Sequence, residues 1–366
     1  ASAHGHALLA GFLKENGAIG FVAPSFGAAT EPYRSAFDNA LKKFHALGYQ
    51  TKLGPNCYAS DGVGISSTPE NCGREINEAV TDPDSDVLIS CGGGELMCEI
   101  LDFVDFNRIA QTSPKWYMGY SDNTNLTFLL PTLCDTAAIY GPCAGTFGME
   151  PWHISVQDAL DLLRGKNLTA HSYDRWEKEG FKTEENPLVP YNTTEPVIIK
   201  PFGADTAAEN ESVSGELREE IRFQGRLLGG CTDCLVNLTG TKYDRVREFS
   251  EKYAQDGIIW FLESCDLNVF SIRRAMWQMK HAGWFSHVKG FLIGRPLCFG
   301  QEMMGLDQYA AVWEPLKEFG VPVIMDVDLG HLPPQMPLIC GSMADVTLRR
   351  TKEQPDWKLE IDMQLK

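Results

Sequence analysis

The sequence predicts an α/β protein in which helices cover a parallel β-sheet and a second α/β domain follows. Apolar, strand-like runs alternate with segments of helical periodicity along most of the chain, which is the pattern of βαβ units. Several runs, such as VLISC at 87–91, show no polar alternation, as expected for parallel strands buried on both faces. A length of 366 residues, 43% of them hydrophobic, is enough for two separate cores.

Residues 14–170 are predicted to form the first domain, which opens with a strand at 18–22 and a turn-rich loop. The helix that follows has apolar residues at helical spacing, namely Phe37, Leu41, Phe44 and Leu47. The alternation then continues with strands at 49–53, 87–91, 116–118 and 137–140, and with helices at 73–80, 96–102 and 156–163.

From 171 to 222 the pattern changes to charges, prolines and polar residues, which predicts an extended connection between two domains. Residues 223–366 are predicted to form the second domain. After Gly215 the predicted strands are at 216–223, 225–230, 257–262, 288–294 and 321–327, and the predicted helices begin at Cys231 and cover 270–281 and 309–319.

The formal net charge is −17, and no cluster of Lys and Arg is interleaved with aromatic residues. Both observations disfavour nucleic acid and anionic membrane surfaces as partners. The apolar run near the N-terminus is too short for a signal peptide or a membrane span, so we expect a cytoplasmic location.

Eleven cysteines are scattered along the chain without the dense spacing of a disulfide scaffold, which indicates mostly reduced thiols. Cys231 and Cys234 form one C-x-x-C motif. Metal binding or redox use of this motif needs a second pair or nearby histidines, and none follows at ligand spacing. We therefore expect two packed thiols beside a Gly-Gly turn.

The stretch KWYMGYSDNTNLTFLLPT at 115–132 predicts a strand that ends in a sharp turn and runs into a helix. Ser121 at the turn would point its hydroxyl out of the sheet edge, beside the unpaired N–H groups of the new helix. The arrangement resembles the nucleophile elbow of hydrolases, with Asn123 in place of the usual glycine. The local pattern alone favours a simpler interpretation, a turn or capping serine, so other residues must decide.

Gly92, Gly93 and Gly94 leave the preceding buried strand just before a helix. Such a loop is one form of phosphate cradle, but the full G-x-G-x-x-G spacing and the Lys of a P-loop are both missing. The same loop can present bare N–H groups to an oxyanion. Because neighbouring parallel strands end at the same sheet edge, we expect these amides to lie near Ser121.

Acyl transfer by serine needs a base and a carboxylate that orients the base. Of the eight histidines, His331 alone comes just after a predicted buried strand, behind a glycine and ahead of Pro333 and Pro334. Glu263 ends an otherwise apolar strand, where a carboxylate is costly without a partner. The alternatives are a structural histidine and a salt bridge from the glutamate to an arginine such as Arg273, Arg274 or Arg295.

The motifs GYSDNTNL, YGP, GRLLGG, FLE, GFLIGRP and DLGH, in this order and at these separations, resemble the LD-carboxypeptidase family of serine peptidases. The likeness runs from Gly17 to the C-terminus. The RWEKEGFK stretch around Trp176 and the FLE motif look closer to the branch of the microcin C immunity peptidase than to the muropeptide-recycling enzymes.

The resemblance implies a flavodoxin/Rossmann-like N-terminal domain that carries the nucleophile and a C-terminal domain with a mixed, swivelling-type sheet. Carried over position by position, it implies Ser121 as nucleophile, Glu263 as orienting carboxylate and His331 as general base. It also implies an oxyanion hole made by the backbone N–H groups of Asp122 and of a glycine in the 92–94 loop, which we expect to be Gly93.

The implied activity is hydrolysis of a peptide or amide bond near a carboxyl terminus through an acyl-enzyme, without a metal or cofactor, by a homodimer. The implied substrate is a small peptide, a muropeptide or a peptidyl-nucleotide. Trp176 is expected to be a stacking surface for that substrate, and the alternative is an aromatic that only covers apolar surface.

Two other classes of protein remain open from the sequence. A nucleotide-binding oxidoreductase would use the glycine loop at 92–94 for pyrophosphate, and Ser121 would then be inert. A non-catalytic ligand-binding protein of two α/β lobes would leave Ser121 unreactive towards fluorophosphonate.

Overall fold

A computed structural model describes residues 11–203, 210–211 and 217–365. The elements up to residue 163 are β1 (Ala18–Val22), α1 (Tyr33–Ala46), β2 (Gln50–Leu53), α2 (Pro69–Thr81), β3 (Val87–Ser90), α3 (Phe106–Gln111), β4 (Trp116–Gly119), α4 (Thr124–Thr127), α5 (Leu129–Cys134), β5 (Ala138–Tyr140) and α6 (Ile154–Leu163). Short 3-10 helices lie at Met97–Phe103, Ser121–Asn123 and Ala144–Gly148.

The middle of the chain contributes five strands, β6 (Thr169–His171), β7 (Arg175–Trp176), β8 (Glu195–Pro196), β9 (Lys200–Phe202) and β10 (Asn210–Glu211). The remaining elements are β11 (Leu217–Cys231), α7 (Thr232–Leu238), α8 (Val246–Lys252), β12 (Ile258–Glu263), α9 (Val269–His281), β13 (Val288–Gly294), β14 (Glu302–Met303), β15 (Leu306–Asp307), α10 (Gln308–Leu316), β16 (Val323–Val327), β17 (Leu338–Cys340), β18 (Met343–Thr351) and β19 (Lys358–Gln364). A 3-10 turn at Lys317–Phe319 follows α10.

The first sheet has six strands in the order β17-β5-β4-β3-β1-β2. The five strands from the N-terminal half are parallel, and their order changes direction next to β1, as in doubly wound sheets. The edge strand β17 comes from the C-terminal part of the chain and runs antiparallel to β5. This sheet carries the Ser121 turn at the carboxyl end of β4.

The second sheet has the order β6-β19-β18-β11-β12-β13-β16-β9, and β10 pairs with β11 outside this path. The inner strands β11, β12, β13 and β16 are parallel, whereas β18, β19, β6 and β9 add antiparallel pairs. The sheet is therefore mixed. Glu263 is the last residue of β12, and His331 follows β16.

The central strands are stable because their apolar side chains are buried on both faces of the sheets. All residues of β3, β4, β12 and β16 are buried, which matches the unbroken apolar runs of their sequences. Aromatic rings also pack against one another between the two sheets. Phe128 of the first lobe stacks on Trp284, which in turn stacks on Trp260 of β12. One buried hydrophobic cluster consequently contains residues from both lobes.

The predicted fold class is confirmed: the protein is α/β, with a parallel-rich N-terminal sheet and a mixed C-terminal sheet. Within the predicted 171–222 connection, short strands occur in the described residues, and β9 joins the second sheet; residues 204–209 and 212–216 lie outside the described part. Among the residues that the structure describes, no helix has both the length and the apolar character needed to cross a membrane.

Candidate active site

Ser121 follows the buried strand β4 and begins a short 3-10 helix. Its φ is +63°, a left-handed conformation that is rare for a residue with a side chain and is typical of a serine on a nucleophile elbow. Asn123, which replaces the expected glycine, holds the turn. Its Nδ2 donates to the Gly92 carbonyl oxygen at 2.9 Å, and its Oδ1 accepts from the Tyr117 hydroxyl at 2.5 Å.

The structure brings Ser121, His331 and Glu263 together. Oγ of Ser121 lies 2.9 Å from Nε2 of His331, and Nδ1 of His331 lies 2.8 Å from Oε2 of Glu263. Because a carboxylate only accepts hydrogen bonds, Nδ1 must carry a proton, which leaves Nε2 of a neutral imidazole to accept from the serine hydroxyl. This is the relative arrangement that serine acyl transfer needs.

Tyr140 joins the same group and is not among the predicted site residues. Its hydroxyl donates to Oε1 of Glu263 at 2.5 Å and accepts from the backbone N–H of Ser121 at 3.0 Å. Tyr140 is the last residue of β5, the neighbour of β4, so its strand ends at the same sheet edge. That position, together with the YGP motif, was the signal that could have found it.

The loop that carries His331 is fixed by a buried ion pair. Nη1 of Arg295 lies 2.5 Å from Oδ1 of Asp328, and both side chains are at most 1% exposed. Nη2 of the same arginine donates to the Leu332 carbonyl oxygen, and Oδ2 of Asp328 accepts from the Tyr173 N–H. Arg295 was one candidate partner for Glu263, but its carboxylate partner is Asp328.

Gly93 faces the serine: a Cβ placed on this glycine would lie 3.5 Å from both Cβ and Oγ of Ser121. No described residue accepts a hydrogen bond from the Gly93 N–H. The Gly93 carbonyl oxygen accepts from the Phe26 N–H at 2.8 Å, which fixes the loop. At Gly94 a Cβ would come within 2.0 Å of Oγ of Ser25, so this position requires glycine.

Asp122 has a backbone N–H in the first turn of the 3-10 helix, where helical N–H groups lack intrahelical partners. Its buried carboxylate holds neighbouring segments in place through hydrogen bonds. Oδ2 accepts from the Ser25 hydroxyl at 2.5 Å and from the Met97 N–H at 2.9 Å. The side chain thus ties together the three segments that surround the serine.

Two opposite pKa shifts mark the imidazole and its carboxylate partner. Burial alone would raise the pKa of Glu263, but the charge of His331 and hydrogen bonds from His331 and Tyr140 lower it below its usual value. Burial alone would lower the pKa of His331, but the Glu263 carboxylate and a hydrogen bond with Cys265 raise it. Both shifts favour the ion pair.

A cavity of about 680 Å³ opens in front of Ser121 and His331. Its volume lies within the range of small-molecule sites. Acidic side chains outnumber basic ones on its walls: Glu95, Asp122, Asp233 and Asp266 line it together with Lys182. Gly92, Gly93 and Gly94 form part of the same wall.

Trp176 does not join this group. The side chain is 4% exposed and its Nε1 donates to the Pro196 carbonyl oxygen. Its ring packs against Phe299 and lies 5.1 Å from the Arg295 guanidinium. In the structure this tryptophan packs near the arginine of the ion pair that holds the His331 loop and does not line the cavity.

The described residues contain no group of three or more His, Cys, Asp or Glu side chains arranged to hold a metal ion. The C-x-x-C motif lies beside the serine: Sγ of Cys234 is 3.6 Å from the Ser121 carbonyl oxygen. The predicted Gly-Gly turn beside these thiols is wrong: Gly229 and Gly230 lie within β11, and Cys231 is its last residue.

Both halves of the chain match models of a known protein family. The family model for the LD-carboxypeptidase N-terminal domain matches residues 19–141, and that for the C-terminal domain matches residues 224–346. The chain is 25% identical over 342 residues to the microcin C7 self-immunity protein MccF of Escherichia coli, covering 92% of each chain. It is 22% identical to a probable murein peptide carboxypeptidase of Bacillus subtilis, covering 91% of this chain and 89% of that protein.

Two solved structures share the fold. MccF in complex with glutamyl sulfamoyl guanosine matches with a TM-score of 0.77 at 22% identity, over 98% of this chain and 99% of that chain. An MccF-like protein from Bacillus anthracis matches with a TM-score of 0.74 at 20% identity, over 98% and 100% of the two chains. With both family domains matched across more than half of its length, the chain belongs to the LD-carboxypeptidase family of serine peptidases.

Proposed function

We propose that this chain hydrolyses a peptide or amide bond near a carboxyl terminus, with Ser121 as nucleophile, His331 as general base and Glu263 as the carboxylate that orients the base. The observation that carries the proposal is the continuous hydrogen-bond chain from Oγ of Ser121 through His331 to Oε2 of Glu263, with distances of 2.9 and 2.8 Å. Membership of a serine peptidase family supports it.

In the first step Oγ of Ser121 attacks the scissile carbonyl carbon while its proton passes to Nε2 of His331. Glu263 keeps the Nδ1–H of the imidazole in place and stabilises the imidazolium that forms. The carbonyl oxygen becomes an oxyanion, for which we propose the N–H groups of Gly93 and Asp122 as donors. In comparable sites the loss of one such donor costs about 3 kcal/mol of barrier.

In the second step the tetrahedral intermediate collapses, the C–N bond breaks, and the Nε2 proton moves to the departing amine. Water then attacks the acyl-serine with His331 again as base, and Ser121 is released. The cavity in front of the serine accommodates the part of the substrate on one or both sides of the bond.

Two substrate classes follow from the relatives. One relative is named as a self-immunity protein against microcin C7 and has been solved with aspartyl sulfamoyl adenosine, and another is named as a murein peptide carboxypeptidase. We propose that the substrate of this chain is either a peptidyl-nucleotide or a muropeptide.

The test assays purified protein against an aminoacyl sulfamoyl adenosine and against a muropeptide with a terminal D-amino acid. We expect turnover of one of them and its loss in Ser121→Ala. Ser60→Ala is the matched control, because Ser60 is an exposed serine on the wall of the same cavity. Full turnover by Ser121→Ala would refute the proposed nucleophile. Tight NAD binding with an inert Ser121 would favour the oxidoreductase alternative instead.

A further inference from the structure

The C-x-x-C motif lies between the proposed nucleophile and its orienting carboxylate. Cys231 ends β11 and is paired across the parallel ladder with Glu263 of β12, and its Sγ lies 3.6 Å from Oδ1 of Asp233. Cys234 lies in the first turn of α7, with Sγ 3.6 Å from the Ser121 carbonyl oxygen and 3.9 Å from Oδ1 of Asp122. Each thiol therefore touches a different part of the site.

The two thiols belong to the same cavity wall, three positions apart in the chain, and both are free cysteines. Cys231 is the residue that precedes the helix, and Cys234 follows one turn later. This is the spacing at which dithiol motifs close a disulfide. Closing it requires the two sulfurs to approach within bonding distance, without any change in which segments are neighbours.

Access to the pair is asymmetric. Cys231 is 1% exposed, whereas Cys234 is partly exposed, and both belong to the wall of the cavity that holds Ser121. A small oxidant that enters the cavity can therefore reach Cys234 first. Cys231 is then the resolving thiol beside it.

We propose that Cys231 and Cys234 form a redox-modification site, which a low-molecular-weight disulfide converts to an intramolecular disulfide that slows the reaction of Ser121. The second half of this proposal rests on the proposed function of Ser121. The first half, formation of the disulfide, does not depend on it.

The chemistry balances as two thiol–disulfide exchanges. The Cys234 thiolate attacks one sulfur of the small disulfide RSSR, the S–S bond of RSSR breaks, and one RS⁻ leaves and takes up the proton that Cys234 lost. The Cys231 thiolate then attacks the Cys234 sulfur of the mixed disulfide and expels the second RS⁻, which is protonated in turn. Two electrons pass from the cysteines to RSSR, and two RSH are formed.

Oxidation changes the site because a disulfide sulfur has no hydrogen to donate. In the reduced protein the Cys231 thiol lies opposite Glu263 in the ladder and donates to Asp233, and the Cys234 thiol donates to the Ser121 carbonyl oxygen. Both hydrogen bonds are lost on oxidation. We expect the reaction rate of Ser121 to fall roughly tenfold, the lower end of what one hydrogen bond to a charged group contributes.

The two thiols are protonated near neutral pH. The neighbouring Cys234 thiol and burial both raise the pKa of Cys231. The neighbouring Cys231 thiol lowers the pKa of Cys234, but burial and the nearby carboxylates outweigh it and raise that pKa. Because the thiolate is the attacking species, the experiment is run in mildly alkaline buffer.

The test treats the full chain with oxidised glutathione and maps disulfides by peptide mass spectrometry. The rate of fluorophosphonate labelling of Ser121 is measured before and after treatment, and again after reduction with dithiothreitol. We expect a Cys231–Cys234 disulfide, labelling slowed roughly tenfold, and recovery on reduction. Each variant is compared with its own reduced form.

Two variants identify the thiols. Cys234→Ser should abolish the sensitivity of labelling to oxidised glutathione. Cys98→Ser should keep it, because Cys98 is a partly exposed thiol on the wall of the same cavity but outside the motif.

Absence of the disulfide from oxidised protein, an unchanged labelling rate in protein shown to carry it, or loss of sensitivity in Cys98→Ser would each overturn the proposal. A reduced wild-type protein that is never labelled at Ser121 would instead refute the proposed function. Mapping of the disulfide would still decide the first half of the inference in that case.

Discussion

The hydroxyl of Tyr140 connects two groups that the reaction needs, the backbone of Ser121 and the carboxylate of Glu263. Tyr140→Phe would leave a buried N–H and a carboxylate oxygen without this partner, which costs about 1–3 kcal/mol for each group. We expect kcat to fall by about ten- to a hundredfold with a smaller change in KM. Steady-state kinetics measure this.

The matched control for that variant is Tyr58→Phe, because the Tyr58 hydroxyl also donates to a carboxylate, that of Asp38, outside the cavity. This control should leave kcat unchanged. Equal rates for the wild type and Tyr140→Phe would show that the bridge has no part in catalysis.

The raised pKa of His331 predicts the pH dependence of activity. The imidazole must be neutral to accept the serine proton, so kcat/KM should rise with pH as His331 loses its proton. Since the Glu263 carboxylate and the Cys265 hydrogen bond outweigh burial and raise the pKa, the acid limb should lie above pH 6.5.

Glu263→Gln tests the cause of that shift. Without the carboxylate, burial lowers the pKa of His331, and the acid limb should move to lower pH while the maximal rate falls. A pH–rate profile of each protein gives the comparison. An acid limb that stays at the same pH in the variant would contradict the role assigned to Glu263.

At the scale of elements, the loop after β16 holds His331 in place through the ion pair of Arg295 and Asp328, which is almost completely buried. Asp328→Ala would leave the guanidinium buried without its carboxylate. We expect a loss of about 3–5 kcal/mol in the free energy of unfolding, measured by urea denaturation. The exposed pair of Lys317 and Glu314 provides the control, since Glu314→Ala should change stability little.

Most of the elements around the site could be predicted because each has a local signal. The buried runs of β3, β4, β12 and β16 lack polar alternation. Ser121 and Glu263 are polar residues at the ends of such apolar strands. In α1 the predicted apolar face is only partly right: Phe37 and Phe44 are buried, but Leu47 lies past the helix end and is 50% exposed.

The strands after residue 336 were not predicted. Strand β17 has three residues and pairs with β5, about two hundred positions earlier, so no local pattern reveals its partner. Strand β19, KLEIDMQ, does alternate buried and exposed residues, and this period-two signal is visible in its sequence. The bridging role of Tyr140 and the position of Trp176 also depend on tertiary packing, which the sequence alone does not specify.

At the scale of the whole molecule, the site exists only while the two lobes are packed together, because Ser121 comes from one sheet and Glu263 and His331 from the other. Phe128, Trp284 and Trp260 form a stack across this boundary. Phe128→Ala should lower the free energy of unfolding by about 3–5 kcal/mol. Tryptophan fluorescence and activity should be lost at the same urea concentration, whereas separate transitions would mean that the lobes unfold independently.

The homodimer, the cytoplasmic location and the domain boundaries at 170 and 222 stay predictions. Sedimentation velocity measures the first, and limited proteolysis locates the boundaries.

The most direct measurement of the central claim is the site and rate of covalent labelling by a fluorophosphonate. The account predicts one adduct, on Ser121, that forms much more slowly in His331→Ala and Glu263→Gln than in the wild type. An adduct on another residue, or labelling of Ser121 at an undiminished rate without His331, would contradict it.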